Sequence, residues 1–160
     1  VDLIAGGAEL GLTGPVIDLG DTLVVPGAER WLRLTAADGE DLGANPYGAI
    51  SLVRTNLPGN QISFVTGGQL IIAPVDAPAN PTAQLPFTGV DYDLAPDGER
   101  IVVSDGRTLS IVDLSGAEVG TFPNPEGISI GSVVWQPDGS ILFVDLSSNV
   151  VRSVDPGDAG

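Results

Sequence analysis

An all-β chain assembled from repeated small antiparallel sheets is what this sequence predicts, and three observations predict it. Turn-forming positions recur with a common phase: Gly20, Pro58, Pro96 and Pro137 lie 38, 38 and 41 residues apart, a period that marks repeated small sheets. Short segments rich in Val, Ile, Leu and Phe fill the gaps, with the length and β-branching of strands. The 13 prolines and 22 glycines interrupt nearly every window long enough for a helix.

The elements follow in order. Residues 1–4 stand ahead of the first unit as an unassigned strand. In the first unit an inner strand, residues 16–19, precedes Gly20; the strand carrying Trp31 to Leu34 follows; Asp38 ends the pattern and Leu42 marks an outer strand. The second unit has an inner strand at 50–53, turns at Pro58-Gly59-Asn60 and Gly67-Gly68, a closing Asp76 and an outer strand at 83–85. The third runs through an inner strand at 90–94, Pro96-Asp97-Gly98, a strand at 101–103, Asp105-Gly106, a strand at 109–112, a turn at 113–116 and an outer strand at 118–121. The fourth repeats this order with 132–135, Pro137-Asp138-Gly139, 141–144, Ser147-Ser148-Asn149, 150–154 and Asp155-Pro156-Gly157. No segment after Asp155 is left to be its outer strand. Each turn has a physical basis: Pro presets φ near −65°, Asp bonds its own backbone, and Gly accepts the positive φ of a tight hairpin.

An unassigned strand at one end and a missing outer strand at the other is the offset by which a β-propeller closes its ring. The expected architecture is a single β-propeller-type domain over residues 1–160, with repeat units at about 11–45, 46–86, 87–127 and 128–160, and residues 1–5 as a closing strand. Part of a longer ring, a four-bladed ring, and two chains pairing into eight blades all satisfy the pattern. With no Met in the sequence, the first residue is not a translation start, and the chain is expected to be part of a longer polypeptide. An open half-propeller would expose apolar faces and self-associate.

The Pro-Asp-Gly turns, their flanking strands and the closing Asp resemble the PD40 (TolB-like, WD40-like) β-propeller repeat over residues 50–155. Phe143-Val144-Asp145, Asn149 and Val151-Arg152 also resemble an NHL or YWTD-type blade. The first unit lacks Pro-Asp-Gly. The resemblance implies a propeller that serves as an extracytoplasmic scaffold or as the non-catalytic gate of a prolyl-oligopeptidase-type peptidase.

Charge narrows the partners. With 21 acidic residues against six arginines, the net charge of −15 opposes binding to nucleic acid and to anionic membranes, both of which require Lys and Arg. No apolar run reaches the roughly 18 residues of a membrane span. Absence of His and Cys removes Ser-His-Asp triads, thiol nucleophiles and the usual zinc ligand sets. Carboxylate chemistry and hard-cation binding remain.

Asp91 and Asp93 alternate along the third inner strand, so their carboxyl groups share a face at about 6.5–7 Å. That spacing suits an inverting glycosidase pair, and, with Asp18 from another unit, a Ca²⁺ site. The plainer expectation is that they line a water-filled channel and are solvated. Trp31 and Arg33 share one face of their strand and are candidates for contact with a partner. Tyr47, Phe87 and Phe122 lie on longer connections and either meet a partner or plug the space between sheets. Trp135 is expected to pack between blades, and the acidic stretches 38–41 and 155–158 to be solvated loop caps. The functional expectation is a non-enzymatic protein-binding or scaffolding module, extracytoplasmic, with no cofactor beyond a possible Ca²⁺. The alternatives are an accessory propeller excised from a larger hydrolase or peptidase, and a Ca-dependent carbohydrate-active or lactonase-type enzyme.

Overall fold

The computed structural model describes residues 3–5, 8–10, 14–36, 38–56, 58–124 and 126–160. Strands dominate them, as the repeat predicts, and the one helical element is a 3-10 turn, Pro156–Asp158. Two short strands come first, β1 (Leu3–Ala5) and β2 (Ala8–Leu10), paired with each other. The first large sheet contains β3 (Ile17–Asp18), β4 (Leu23–Pro26), β5 (Arg30–Leu34) and β6 (Gly39–Ala44) in sequence order. The second contains β7 (Ser51–Thr55), β8 (Gln61–Thr66), β9 (Gln69–Pro74) and β10 (Ala83–Pro86), and the third β11 (Asp91–Leu94), β12 (Arg100–Ser104), β13 (Leu109–Asp113) and β14 (Glu118–Phe122). The fourth has three strands, β15 (Ile130–Trp135), β16 (Ile141–Asp145) and β17 (Val150–Val154).

Leu3 to Ala5, within the expected closing strand at residues 1–5, pair with Leu10 to Ala8; residues 1 and 2 lie outside the described residues. Gly67-Gly68 connects β8 and β9, with φ of 54° and 76° across the Thr66↔Gln69 pair. Two successive positive φ angles define the type I′ turn that matches strand twist. The Pro-Asp-Gly turns close by amide-to-carbonyl bonds from Gly98 to Ala95 (2.9 Å) and from Gly139 to Gln136 (3.0 Å). In each, the aspartate side chain also accepts the amide two residues on, from Glu99 and from Ser140.

Acidic stretch 38–41 departs from expectation. Glu40 and Asp41 belong to β6, paired to β5, where Glu40 accepts a hydrogen bond from Arg33 at 2.9 Å and Asp41 is ion-paired with Arg30. Cross-strand neutralisation by those arginines lets acidic residues occupy an outer strand. Asp155 behaves as a cap, its carboxylate accepting the Gly157 amide at the start of the 3-10 turn.

The chain divides into two compact units, Val1–Thr55 with Gly59–Gln84, and Asn56–Pro58 with Leu85–Gly160. In the first unit, Ile17, Val24 and Trp31 of the first sheet bury against Ile62, Phe64 and Ile71 of the second. In the second, Val102, Leu109 and Ile111 of the third sheet bury against Val133, Trp135, Ile141 and Phe143 of the fourth. Strand alternation supplies each apolar face.

Candidate functional site

Asp91 and Asp93 do lie on one face of β11, but they are not solvated. They are 6% and 8% exposed. One oxygen of Asp91 accepts the Val133 amide at 3.1 Å and one oxygen of Asp93 accepts the Trp135 amide at 2.7 Å, while the second oxygen of Asp93 accepts the Leu94 amide at 3.0 Å. The inner strands β11 and β15 belong to different sheets, so these carboxylates stand in for a backbone ladder. Charge-assisted bonds of this kind are shorter and stronger than neutral ones. The expectation of channel-lining, water-exposed acids is thereby corrected: two buried amides of β15 require acceptors, and the aspartates provide them. Among the described residues no group of three or more His, Cys, Asp or Glu gathers as a metal site. Asp18 closes its own turn instead, accepting the Gly20 amide at 2.8 Å.

The aromatic candidates are packed. Trp31 is fully buried, tilted against Phe64 with ring centroids 5.4 Å apart, so it presents nothing to a partner. The reason is that β5 turns the Trp31 face toward the second sheet. Arg33, on that same face, is ion-paired with Glu40. Tyr47 meets Phe64 edge-on at 5.0 Å, and burial pushes its phenol above its ordinary pKa. Phe87 meets Tyr92 edge-on at 5.5 Å, and Phe122 is buried in the second unit's core. Trp135 packs in that core, as expected.

What the sequence reading missed is a groove in the second unit where the two Pro-Asp-Gly turns meet. Its volume is about 540 Å³, and its walls include Pro96, Asp97, Arg100, Pro137, Asp138 and Asp155, over Trp135. The Trp135 ring is held at both ends: its Nε1 donates to the Gly139 carbonyl at 3.0 Å, and the Arg100 guanidinium sits 5.3 Å from the ring centroid. Arg100 in turn donates to Asp97 at 2.9 Å. Burial raises the Asp97 carboxyl, but the Glu99 amide and the Arg100 guanidinium outweigh it and hold it below its ordinary pKa. The Ser140 amide and hydroxyl lower Asp138 likewise. Asp97 and Asp138 are thus ionised near neutral pH, against one guanidinium already paired and stacked. The common phase of Pro96 and Pro137 was the signal, because equal phase puts both turns at the same end of neighbouring sheets. A hollow of about 790 Å³ in the first unit is lined by Asp18, Asp21, Thr22, Leu34 and Thr35, with neither Trp nor Arg.

No protein-family model and no curated protein sequence matches the chain. Solved structures do. Hsv2 of Kluyveromyces lactis aligns with a TM-score of 0.63 at 15% identity, over 91% of this chain and 56% of Hsv2. The β-propeller domain of Cps50 (Swd1) from Myceliophteria thermophila gives a TM-score of 0.60 at 17% identity, over 88% of this chain and 52% of the other. Streptogramin B lyase gives 0.52 at 15% identity, over 88% and 53%. The fold is therefore of the β-propeller repeat type, and the chain spans about half the length of these structures.

Proposed function

We propose that this chain is a non-enzymatic β-propeller module of PD40-like type, extracytoplasmic in setting, that binds a protein partner through a cationic segment seated in the second unit's groove. One observation carries the reading: the groove wall holds Asp97, Asp138 and Asp155, while its single guanidinium is occupied by Asp97 and the Trp135 ring. An overall charge of −15 steers basic partners toward such a surface and repels acidic ones. Binding rather than catalysis is supported by the commitment of Asp91 and Asp93 to backbone amides. The streptogramin B lyase likeness concerns fold, which hosts unrelated functions. A direct test titrates an Arg-rich peptide and a Glu-rich control into a Trp31→Phe variant, reading Trp135 fluorescence. Saturable quenching by the Arg-rich peptide alone, weakened by 0.5 M salt, is the expected result; equal response to both peptides, or none, rejects the proposal.

A further inference from the structure

The groove of the second unit already holds one guanidinium. That of Arg100 lies 5.3 Å from the centroid of the Trp135 ring and donates to a single oxygen of Asp97, from Nη2 at 2.9 Å and from Nε at 3.3 Å. The two halves of this arrangement differ in firmness. The ring is fixed: Trp135 is 4% exposed, its Nε1 donates to the Gly139 carbonyl at 3.0 Å, and its backbone amide donates to Asp93 at 2.7 Å. The cover is loose, because the Arg100 and Asp97 side chains are 44% and 40% exposed, and an ion pair so open to solvent is weakly held. Further along the wall, Asp138 and Asp155 each use one carboxylate oxygen to close their own turns, accepting from Ser140 and from Gly157. Among the described residues neither is paired with a cation.

We propose that Arg100 keeps the place of a partner's arginine. On binding, the incoming guanidinium takes over the Trp135 ring, Arg100 swings out on its flexible stem, and the groove thereby selects arginine over lysine. This rests on the reading of the groove as the seat of a cationic segment, and it names the side chain read there. The resident guanidinium serves as the template, since ring and wall already accommodate a group of that shape. A guanidinium is planar and weakly hydrated, so its face stacks on the ring while its edge donates to carboxylates. Asp138 and Asp155 are the acceptors that Arg100 leaves unused. An ammonium is a compact, strongly hydrated point charge and gains less from the exchange. Because Arg100 must first leave, the wild-type groove binds arginine more weakly than one whose ring is uncovered.

Calorimetric titration with an Arg-rich and a Lys-rich peptide of equal length and charge tests this. Arg100→Gln is expected to tighten the Arg-rich peptide about fivefold or more and the Lys-rich peptide by under about twofold. Arg107→Gln removes the same charge at an exposed position beyond the other end of β12, and is expected to move neither affinity by more than about twofold. Equal tightening of both peptides by Arg100→Gln would be the effect of charge alone and overturns the exchange. So does weaker binding of the Arg-rich peptide, which would make Arg100 a structural cover; in both cases wild-type binding persists and the groove reading stands. Binding of neither peptide to wild type or variant removes the groove reading and the exchange together. If Arg100→Gln loses its wild-type far-UV spectrum, Arg100→Lys takes its place, keeping the charge and giving up the planar stack. It is expected to tighten the Arg-rich peptide alone, and no tightening overturns the exchange.

Discussion

Each compact unit joins two sheets at their inner strands, and the two units do it with different chemistry. Three residues before its anchor the first unit has Ile17, paired with Val24 and buried beside Trp31 and Phe64. Three residues before its anchor the second unit has Asp93, paired with Val102, whose carboxylate accepts the Trp135 amide. One repeat position is therefore filled by an aliphatic group in one place and by a charged acceptor in the other. Apolar burial is non-directional and tolerates imprecise placement. A buried carboxylate fixes the neighbouring backbone at two atoms, and its removal leaves amides unsatisfied. The second unit gains definition at the cost of sensitivity to substitution.

Each unit holds one of the two tryptophans, so unfolding can be followed separately with Trp31→Phe and Trp135→Phe backgrounds. The largest effect is expected from Trp31→Ala, which empties the fully buried centre of the first unit's core and should cost about 3–5 kcal/mol. Urea unfolding followed by far-UV circular dichroism measures it, with Trp135 fluorescence reporting the second unit, and the loss should not vary with pH. Next comes Asp93→Ala, which orphans the Trp135 amide and should cost roughly 1–3 kcal/mol. Asp93→Asn, retaining an acceptor oxygen, should recover part of that. If Asp93→Ala instead leaves the urea midpoint unchanged, the contrast between the units fails.

Acid sharpens the comparison further. In the second unit Asp97, Asp105, Asp113, Asp138 and Asp145 are held below the ordinary carboxyl value of 3.8. Asp145 is the most affected, brought to about 2 chiefly by the Ser148 hydroxyl, with the Arg152 guanidinium and the Ser147 and Ser148 amides adding to it against the cost of burial. Depressed folded-state values mean that the stabilisation is complete above the ordinary value and is lost as pH falls through the folded one. The Trp135 signal should therefore lose urea resistance between about pH 4 and pH 2, and Asp145→Asn should flatten that dependence. The smallest effect is expected from Arg33→Gln, which breaks the cross-strand pair with the exposed Glu40 and should cost about 0.2–1 kcal/mol, less in high salt. A thermal melt at two ionic strengths checks it.

Much of the fold was legible because turn chemistry is local. Pro96, Pro137 and Gly67-Gly68 each announce a turn without reference to distant residues, and the strands between them alternate as two-faced segments must. The cover over each face was not legible. Alternation placed Trp31 and Arg33 together, yet whether that face meets solvent depends on Phe64, which lies in another sheet. Asp91 and Asp93 were correctly put on one face, but the amides they serve lie 42 residues further on. Glu40 and Asp41 read as a loop because charge signals exposure, and an outer strand answered by Arg30 and Arg33 is also exposed. The groove needed a joint reading of two turns that each looked complete alone.

Because every large sheet is built from consecutive strands, a nascent chain leaving the ribosome can complete one sheet before the next is synthesised. Short-range closure of this kind favours rapid, stepwise acquisition of structure over a search among distant pairings. The carboxylate clasp is the exception, since β11 emerges some 40 residues ahead of the amides that satisfy it. Until translation reaches Trp135, the third sheet is complete but its two aspartates lack the amides they will accept.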